Sequence, residues 1–219
     1  MFSSSVRICG KVNQSAASEP LQYLRLEGLV ASRFQPHDET ESRLTGRPWV
    51  LEETTWKSVR ETKYDVAILP WGATEAHNLH LPYGTDNYES SWIAIESARI
   101  AWDAGSKVIV LPTIPFGVNT GQLDIPLSIN MNPGTQARVL GDIVQALEMQ
   151  GTLKLVILNS HGGNDFRQMI RELQPKSKVF ISTINWWSCV STKEFFDEPG
   201  DHAGELETSV MMEIAPGMS

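Results

Sequence analysis

Four short apolar runs recur along the chain with room for one helix between each pair, and this rhythm restricts the fold more than any other property of the sequence. Val66, Ala67, Ile68 and Leu69 close the first run (64–69), which Pro70 and Gly72 stop; Val108, Ile109 and Val110 form the centre of the second (107–111), stopped by Pro112. The third is Leu153–Leu158 and the fourth Val179–Ile184. Near-continuous runs of this length read as strands buried on both faces. Between them, Tyr88–Asp103 carries Trp92, Ile93, Ile95, Ala98 and Ile100. Thr135–Met149 places Val139, Ile143, Ala146 and Leu147 at helical spacing with Gly151 behind it, and Phe166–Leu173 stops before Pro175. The alternation predicts an α/β domain, a mostly parallel sheet with helices on both faces. The stretch from Thr113 to Gly134 is rich in Pro, Gly and Asn and is expected to stay irregular, a length of loop that commonly lines a site.

Upstream of Trp49 the rhythm is missing. Met1–Ala17 is Ser-rich with Arg7 and Lys11, has no acids, and lacks the apolar core of a secretory signal. Residues 1–45 are therefore expected to form a poorly structured extension, and residues 46–219 one domain, entered through a short helix within Leu51–Glu61. With 219 residues and 41% hydrophobic content, one core can be buried without staples. A formal net charge of −8 and the lack of any Lys/Arg run argue against a nucleic-acid partner. No stretch approaches the roughly 20 apolar residues of a spanning helix, so no membrane partner is expected. Cys9 and Cys189 lack CxxC spacing, which fits a reducing, cytoplasmic setting. Neither GxGxxG nor GxxxxGK[ST] follows the first strand, so nucleotide binding has no motif behind it.

In an open parallel sheet ligands bind beyond the carboxyl ends of the strands. The first exit, Trp71 to Asp86, holds Glu75, His77, His80 and Asp86 among Gly and Pro; the third, Asn159 to Asn164, holds His161 beside paired glycines. Past the fourth strand come Asp201, His202, Glu205 and Glu207. Imidazoles and carboxylates are the ligand types of Zn, Mn and Fe, and a cation satisfies several such groups at once where burial would leave them unpaired. Trp186 and Trp187 follow the fourth strand and are candidates for an aromatic wall over a substrate; core packing accounts equally well for one of them. Asn119, Thr120 and Gln122 are candidates for hydrogen bonds to a substrate.

These residues also resemble a known family. Glu75-x-His77 followed by Asp86, then Asn159-Ser160-His161-Gly162-Gly163-Asn164, then His202-Ala203-Gly204-Glu205-Leu206-Glu207-Thr208-Ser209 are similar, in order, to three motifs of the creatininase (creatinine amidohydrolase) family, over about Trp49 to Met212. The resemblance implies a three-layer α/β/α sandwich and a binuclear centre of divalent ions (Zn, Mn or Fe), with Asp86 bridging, Glu75 and His161 on one ion and His77 on the other. In creatininase a Glu two residues after the matching His supplies a further carboxylate; Gly163 stands there in this chain. Glu205 is taken to replace it, and the departure moves the expected substrate from creatinine to another small amide.

The implied reaction is hydrolysis of a C–N bond, cyclic amide or formamide-like, by a metal-bound hydroxide. His202 would protonate the leaving nitrogen, its alternative role being a structural partner of Glu207, and His80 would act behind Asp86 or touch substrate. The family also implies a homo-oligomer, often a hexamer, and usually continues past the point where this chain stops at Ser219, so a domain shortened at its C-terminus is expected. The competing reading is a non-catalytic metal-binding or scaffold protein that keeps the fold.

Overall fold

The computed structural model describes residues 46–189, 191–197 and 200–218. The extension expected over 1–45 lies outside the described residues. Each apolar run forms a strand: β1 (Val66–Trp71), β2 (Val108–Val110), β3 (Lys154–Asn159) and β4 (Phe180–Asn185). They pair in the order β2-β1-β3-β4, every pair parallel. β1 is followed in space by β2 on one side and β3 on the other, so the chain changes winding direction between β1 and β3. That reversal opens a crevice at their carboxyl ends.

Five helices cover the sheet. A short α1 (Trp56–Glu61) precedes β1, its Thr55 side chain accepting a hydrogen bond from the Ser58 amide. The expected Leu51–Glu61 helix is split: Leu51–Glu53 is a separate 3-10 turn. α2 (Thr85–Asp103) and α3 (Pro133–Gln150) lie where sequence periodicity places them, as does α4 (Arg167–Leu173). Gly151 ends α3 in the left-handed region at φ 83°, which a residue without Cβ adopts freely. The fifth, α5 (Glu205–Ile214), has no counterpart in the sequence expectation. Its apolar residues are few, and the polar signature at its start masks the helical period.

Alternation along β1 sorts the two layers. Ala67, Leu69 and Trp71 pack with Leu140, Val144 and Leu147 of α3 and with α4, whereas Val66 and Ile68 face Ala94 and Ala98 of α2 and Leu206 and Val210 of α5. The fold is the expected three-layer α/β/α sandwich, its described sheet entirely parallel. Truncating a fully buried core residue such as Leu140 or Leu155 to Ala is expected to cost about 2–5 kcal/mol. No helix among the described residues is long and apolar enough to cross a membrane.

Candidate metal centre

The crevice between β1 and β3 is where the chemistry-bearing side chains meet. Glu75 and His77 come from the loop after β1, and Asp86 from the first turn of α2, which begins at Thr85, three residues earlier than periodicity indicated. A carboxylate is favoured there by the unpaired amides of a helix start. His161 follows β3, and the Asn159 and Asn164 side chains brace its turn. Asn159 Oδ1 accepts from the His161 amide at 3.2 Å and from Asn164 Nδ2 at 3.0 Å, while Asn164 Oδ1 accepts from the Val118 amide at 3.1 Å and from Gln136 Nε2 at 2.8 Å. Sequence reasoning missed Gln136, since nothing local marks a helix residue 28 positions away as a brace.

Each of three histidines ties one nitrogen to a backbone carbonyl and turns the other toward a carboxylate. His77 Nδ1 lies 3.2 Å from the Glu75 carbonyl oxygen, and its Nε2 is 2.9 Å from Asp86 Oδ1. His161 Nε2 lies 3.0 Å from the Val118 carbonyl oxygen, and its Nδ1 is 2.9 Å from Glu75 Oε1 and 3.1 Å from Asp86 Oδ2. His202 Nε2 is 2.8 Å from the Ala76 carbonyl oxygen, with Nδ1 3.9 Å from Glu75 Oε1. A nitrogen bonded to a carbonyl oxygen must carry the hydrogen, so in a neutral imidazole the other presents a lone pair to the carboxylate. Lone pair against carboxylate is repulsive. A proton or a cation between them removes the conflict, and tethered histidines of this kind are the usual partners of metal ions.

The same demand for positive charge appears in the ionisation of the cluster. Burial alone would lower His161, but the Asp86 and Glu75 carboxylates outweigh it and lift the imidazole to about 10. His77 is raised despite its burial by Asp86. Asp86, which burial would raise, is held below its ordinary value by His161 and His77. Two carboxylate oxygens in the cluster, Glu75 Oε2 and Asp86 Oδ2, are buried without a hydrogen-bond partner among the described residues. The ligand atoms fall into overlapping groups, Glu75–Asp86–His161 and His77–Asp86–Glu207, each within 4.8 Å, with Asp86 common to both; His202 also approaches Glu75 and His77. Hard oxygen and imidazole donors in such groups suit Zn or Mn.

The structure brings together Glu75, His77, Asp86, His161 and His202, and corrects two other placements. Glu205 is exposed and stands outside the cluster; Glu207 takes the position expected of it. Residues two apart on a helix point about 200° apart, so the face that buries Ala203 and Met211 also turns Glu207 inward and Glu205 to solvent. The i, i+4 spacing of Ala203, Glu207 and Met211 was the available signal. Glu207 Oε2 accepts a hydrogen bond from the Ala203 amide, and burial raises its pKa. His80 is exposed and hydrogen-bonds Thr208 Oγ1 at 3.0 Å, joining the β1 loop to α5 instead of reaching Asp86 or the cavity.

Gly163 has a steric reason. A Cβ built there would stand 2.2 Å from the Val118 carbonyl oxygen and 2.5 Å from His161 Nε2, so this position cannot carry a carboxylate while that hydrogen bond exists.

Two cavities open on the cluster and share Gly162, Asp201, His202 and Glu207. One, of about 290 Å³, is walled by Trp186 and Trp187, whose rings meet edge-on. The other, of about 420 Å³, is lined by Glu75, Asp86, His161 and the segment Val118–Gln122. Trp186 Nε1 donates to Ser160 Oγ at 2.8 Å, and the Ser160 hydroxyl reaches Glu89 Oε2 at 3.4 Å. Glu89, one turn beyond Asp86 and fully buried, was not foreseen; burial, then Glu207 and Asp86, push it up to about 10, so it is a neutral acid at pH 7.

Comparison with known proteins agrees with this geometry. The model of the creatininase family (creatinine amidohydrolase) matches residues 52–218. The crystal structure of a Bacteroides fragilis NCTC 9343 protein assigned as a creatinine amidohydrolase is 46% identical, with a TM-score of 0.74, covering 79% of this chain and 70% of that one. Creatinine amidohydrolase of Pseudomonas putida is 25% identical over 76% of this chain and 72% of its own length. Mycofactocin precursor peptide peptidase of Mycolicibacterium smegmatis (strain ATCC 700084 / mc(2)155) is 23% identical over 69% of this chain, which spans only 58% of that relative. With three ordered motifs converging on one crevice of the expected sheet and a family match across most of its length, the chain belongs to the creatininase family.

Proposed function

We propose that this protein hydrolyses a C–N bond of a small amide at a pair of divalent cations, Zn or Mn, one held by Glu75, Asp86 and His161 and the other by His77, Asp86 and Glu207. The observation that carries the reading is the tethering of His77 and His161: each donates to a backbone carbonyl and turns its unprotonated nitrogen onto carboxylates that need a cation. When bound, two such ions supply a water acidified to near neutrality and a positive field at the carbonyl oxygen. The residues of this chain do the rest. Asp86 offers one oxygen to each group, which fixes their separation. His202, anchored through Nε2–H to the Ala76 carbonyl, keeps Nδ1 toward the cavity, where it can hand a proton to the leaving nitrogen. Trp186, locked by its bond to Ser160, and Trp187 give an apolar wall against which a planar amide can lie.

Relatives that act on a lactam and on a peptide precursor show one scaffold serving different amides, and the aromatic wall beside carboxylates favours a compact, uncharged or cationic amide here. The test is metal analysis followed by hydrolysis. The chain is stripped with chelator, reloaded with Zn or Mn, and incubated with cyclic amides, N-formyl amines and short peptides under mass-spectrometric detection. Two ions per chain and metal-dependent cleavage are expected. Fewer than one ion per chain, with no cleavage on adding either metal, sinks the proposal and leaves a non-catalytic scaffold.

A further inference from the structure

We propose that the segment Asn119–Gln122 is a recognition subsite that accepts hydrogen bonds from an N–H-bearing group of the substrate, selecting amides, ureides or guanidine-like groups over carboxylates and phosphates. The inference rests on the hydrolase reading above and names the substrate class for the same site. Asn119 is 3% exposed and lines the larger cavity. Its amide orientation is set: Nδ2 donates to the Ile129 carbonyl at 3.2 Å, and a flipped side chain would place oxygen against oxygen. The backbone holds it as well, the Asn119 amide donating to Asn130 Oδ1 at 2.8 Å. Asn119 Oδ1 is thus a fixed acceptor, and it is buried with no partner among the described residues.

Gln122 repeats the pattern. It lies at the end of the 3-10 turn Thr120–Gln122, its amide donating to the Asn119 carbonyl at 3.1 Å, and its Oε1 is likewise buried and unpartnered. Residues three apart in a 3-10 turn eclipse one another, so both side chains serve one side of the turn, and both line the same cavity. A buried acceptor without a partner is destabilising, and a ligand N–H relieves two such atoms at once. The charge around them points the same way: Glu75, Asp86 and Glu207 are committed to the metal groups, while Asp201 lines both cavities outside those groups. An anionic ligand would face acceptors and a carboxylate; an N–H donor meets complementary groups.

The experiment measures affinity by calorimetry for hydantoin and for 1,3-dimethylhydantoin, which keeps the ring and loses both N–H groups. It is run on the zinc-loaded chain and on the metal-free chain, with zinc content determined by plasma mass spectrometry throughout. Hydantoin is expected to bind roughly tenfold or more tightly than its dimethyl counterpart. Asn119→Leu and Gln122→Leu should each erase most of that preference without changing zinc content or melting temperature, and Gln122→Glu, which keeps the acceptor, should retain it. Equal affinities, failure of both compounds to bind, or a preference untouched by both Leu variants overturns the subsite. Loss of zinc from the wild-type chain overturns the hydrolase reading instead, and the metal-free titration then still reads the N–H preference.

Discussion

Adding one methyl group at Gly163 should damage the metal centre, whereas the same addition one residue earlier should not. At Gly163 the new Cβ meets the Val118 carbonyl oxygen at 2.2 Å and His161 Nε2 at 2.5 Å, both well inside van der Waals contact. Neither is the loose end of a flexible chain: the Val118 amide is bonded to Asn164 Oδ1, and the far side of the His161 ring is set between Glu75 and Asp86. Forcing a methyl into a packed site costs about 1–3 kcal/mol. Separating Val118 from His161 removes a hydrogen bond whose loss costs about 0.5–1.5 kcal/mol. The Gly163→Ala chain should therefore be about 2–4 kcal/mol less stable in denaturant unfolding of the metal-free protein. Metal affinity should fall about 10–100-fold, because the tether that turns Nδ1 onto Glu75 and Asp86 is gone. At Gly162 an added Cβ meets nothing within 4 Å, so Gly162→Ala should stay within about 0.5 kcal/mol of wild type. The readouts are urea unfolding and zinc competition against a chromophoric chelator. A Gly163→Ala chain matching Gly162→Ala in both would refute the claim that backbone contact at 163 orients His161.

Two further predictions concern acids that the structure reassigns. Glu207→Gln should lose one of two bound ions while Glu205→Gln keeps both, since only Glu207 stands with His77 and Asp86; metal counts that move the other way would return the role to Glu205. Glu89 titrates at about 10 in the folded chain against an ordinary value of 4.5, so the unfolded chain releases that proton first and stability falls as pH rises between the two values. His161 acts in the same direction, over the window from 6.5 to about 10. Metal-free wild type should therefore lose stability steadily from pH 5 to pH 9, and Glu89→Gln should lose little below pH 6.5. Parallel slopes for the two chains between pH 5 and 6.5, measured by urea unfolding, would rule out a buried neutral Glu89.

Much of the architecture follows from local chemistry. The strands are legible because each is a short apolar run closed by Pro, Gly or Asn, and α3 because its apolar residues keep a helical period up to Gly151. Glu75, His77, Asp86 and His161 were identifiable because strand exits in an alternating α/β chain converge in space, so residues 86 positions apart in sequence were expected in one crevice. Where side chains point on an unforeseen helix was not legible. Glu205 and Glu207 are chemically alike, and only the packing of Met211 and Ala203 against the sheet side decides that one faces the cluster and the other faces water.

The sequence by itself determined the donor types, their order and the sheet that gathers them, since period and residue chemistry are local properties. Only the tertiary structure decided that Glu207 completes the second group, that Gly163 is small because a carbonyl and an imidazole meet over it, and that Glu89 sits protonated beneath Ser160. Each of these depends on contact between segments far apart along the chain, and such contacts exist only once the layers have packed.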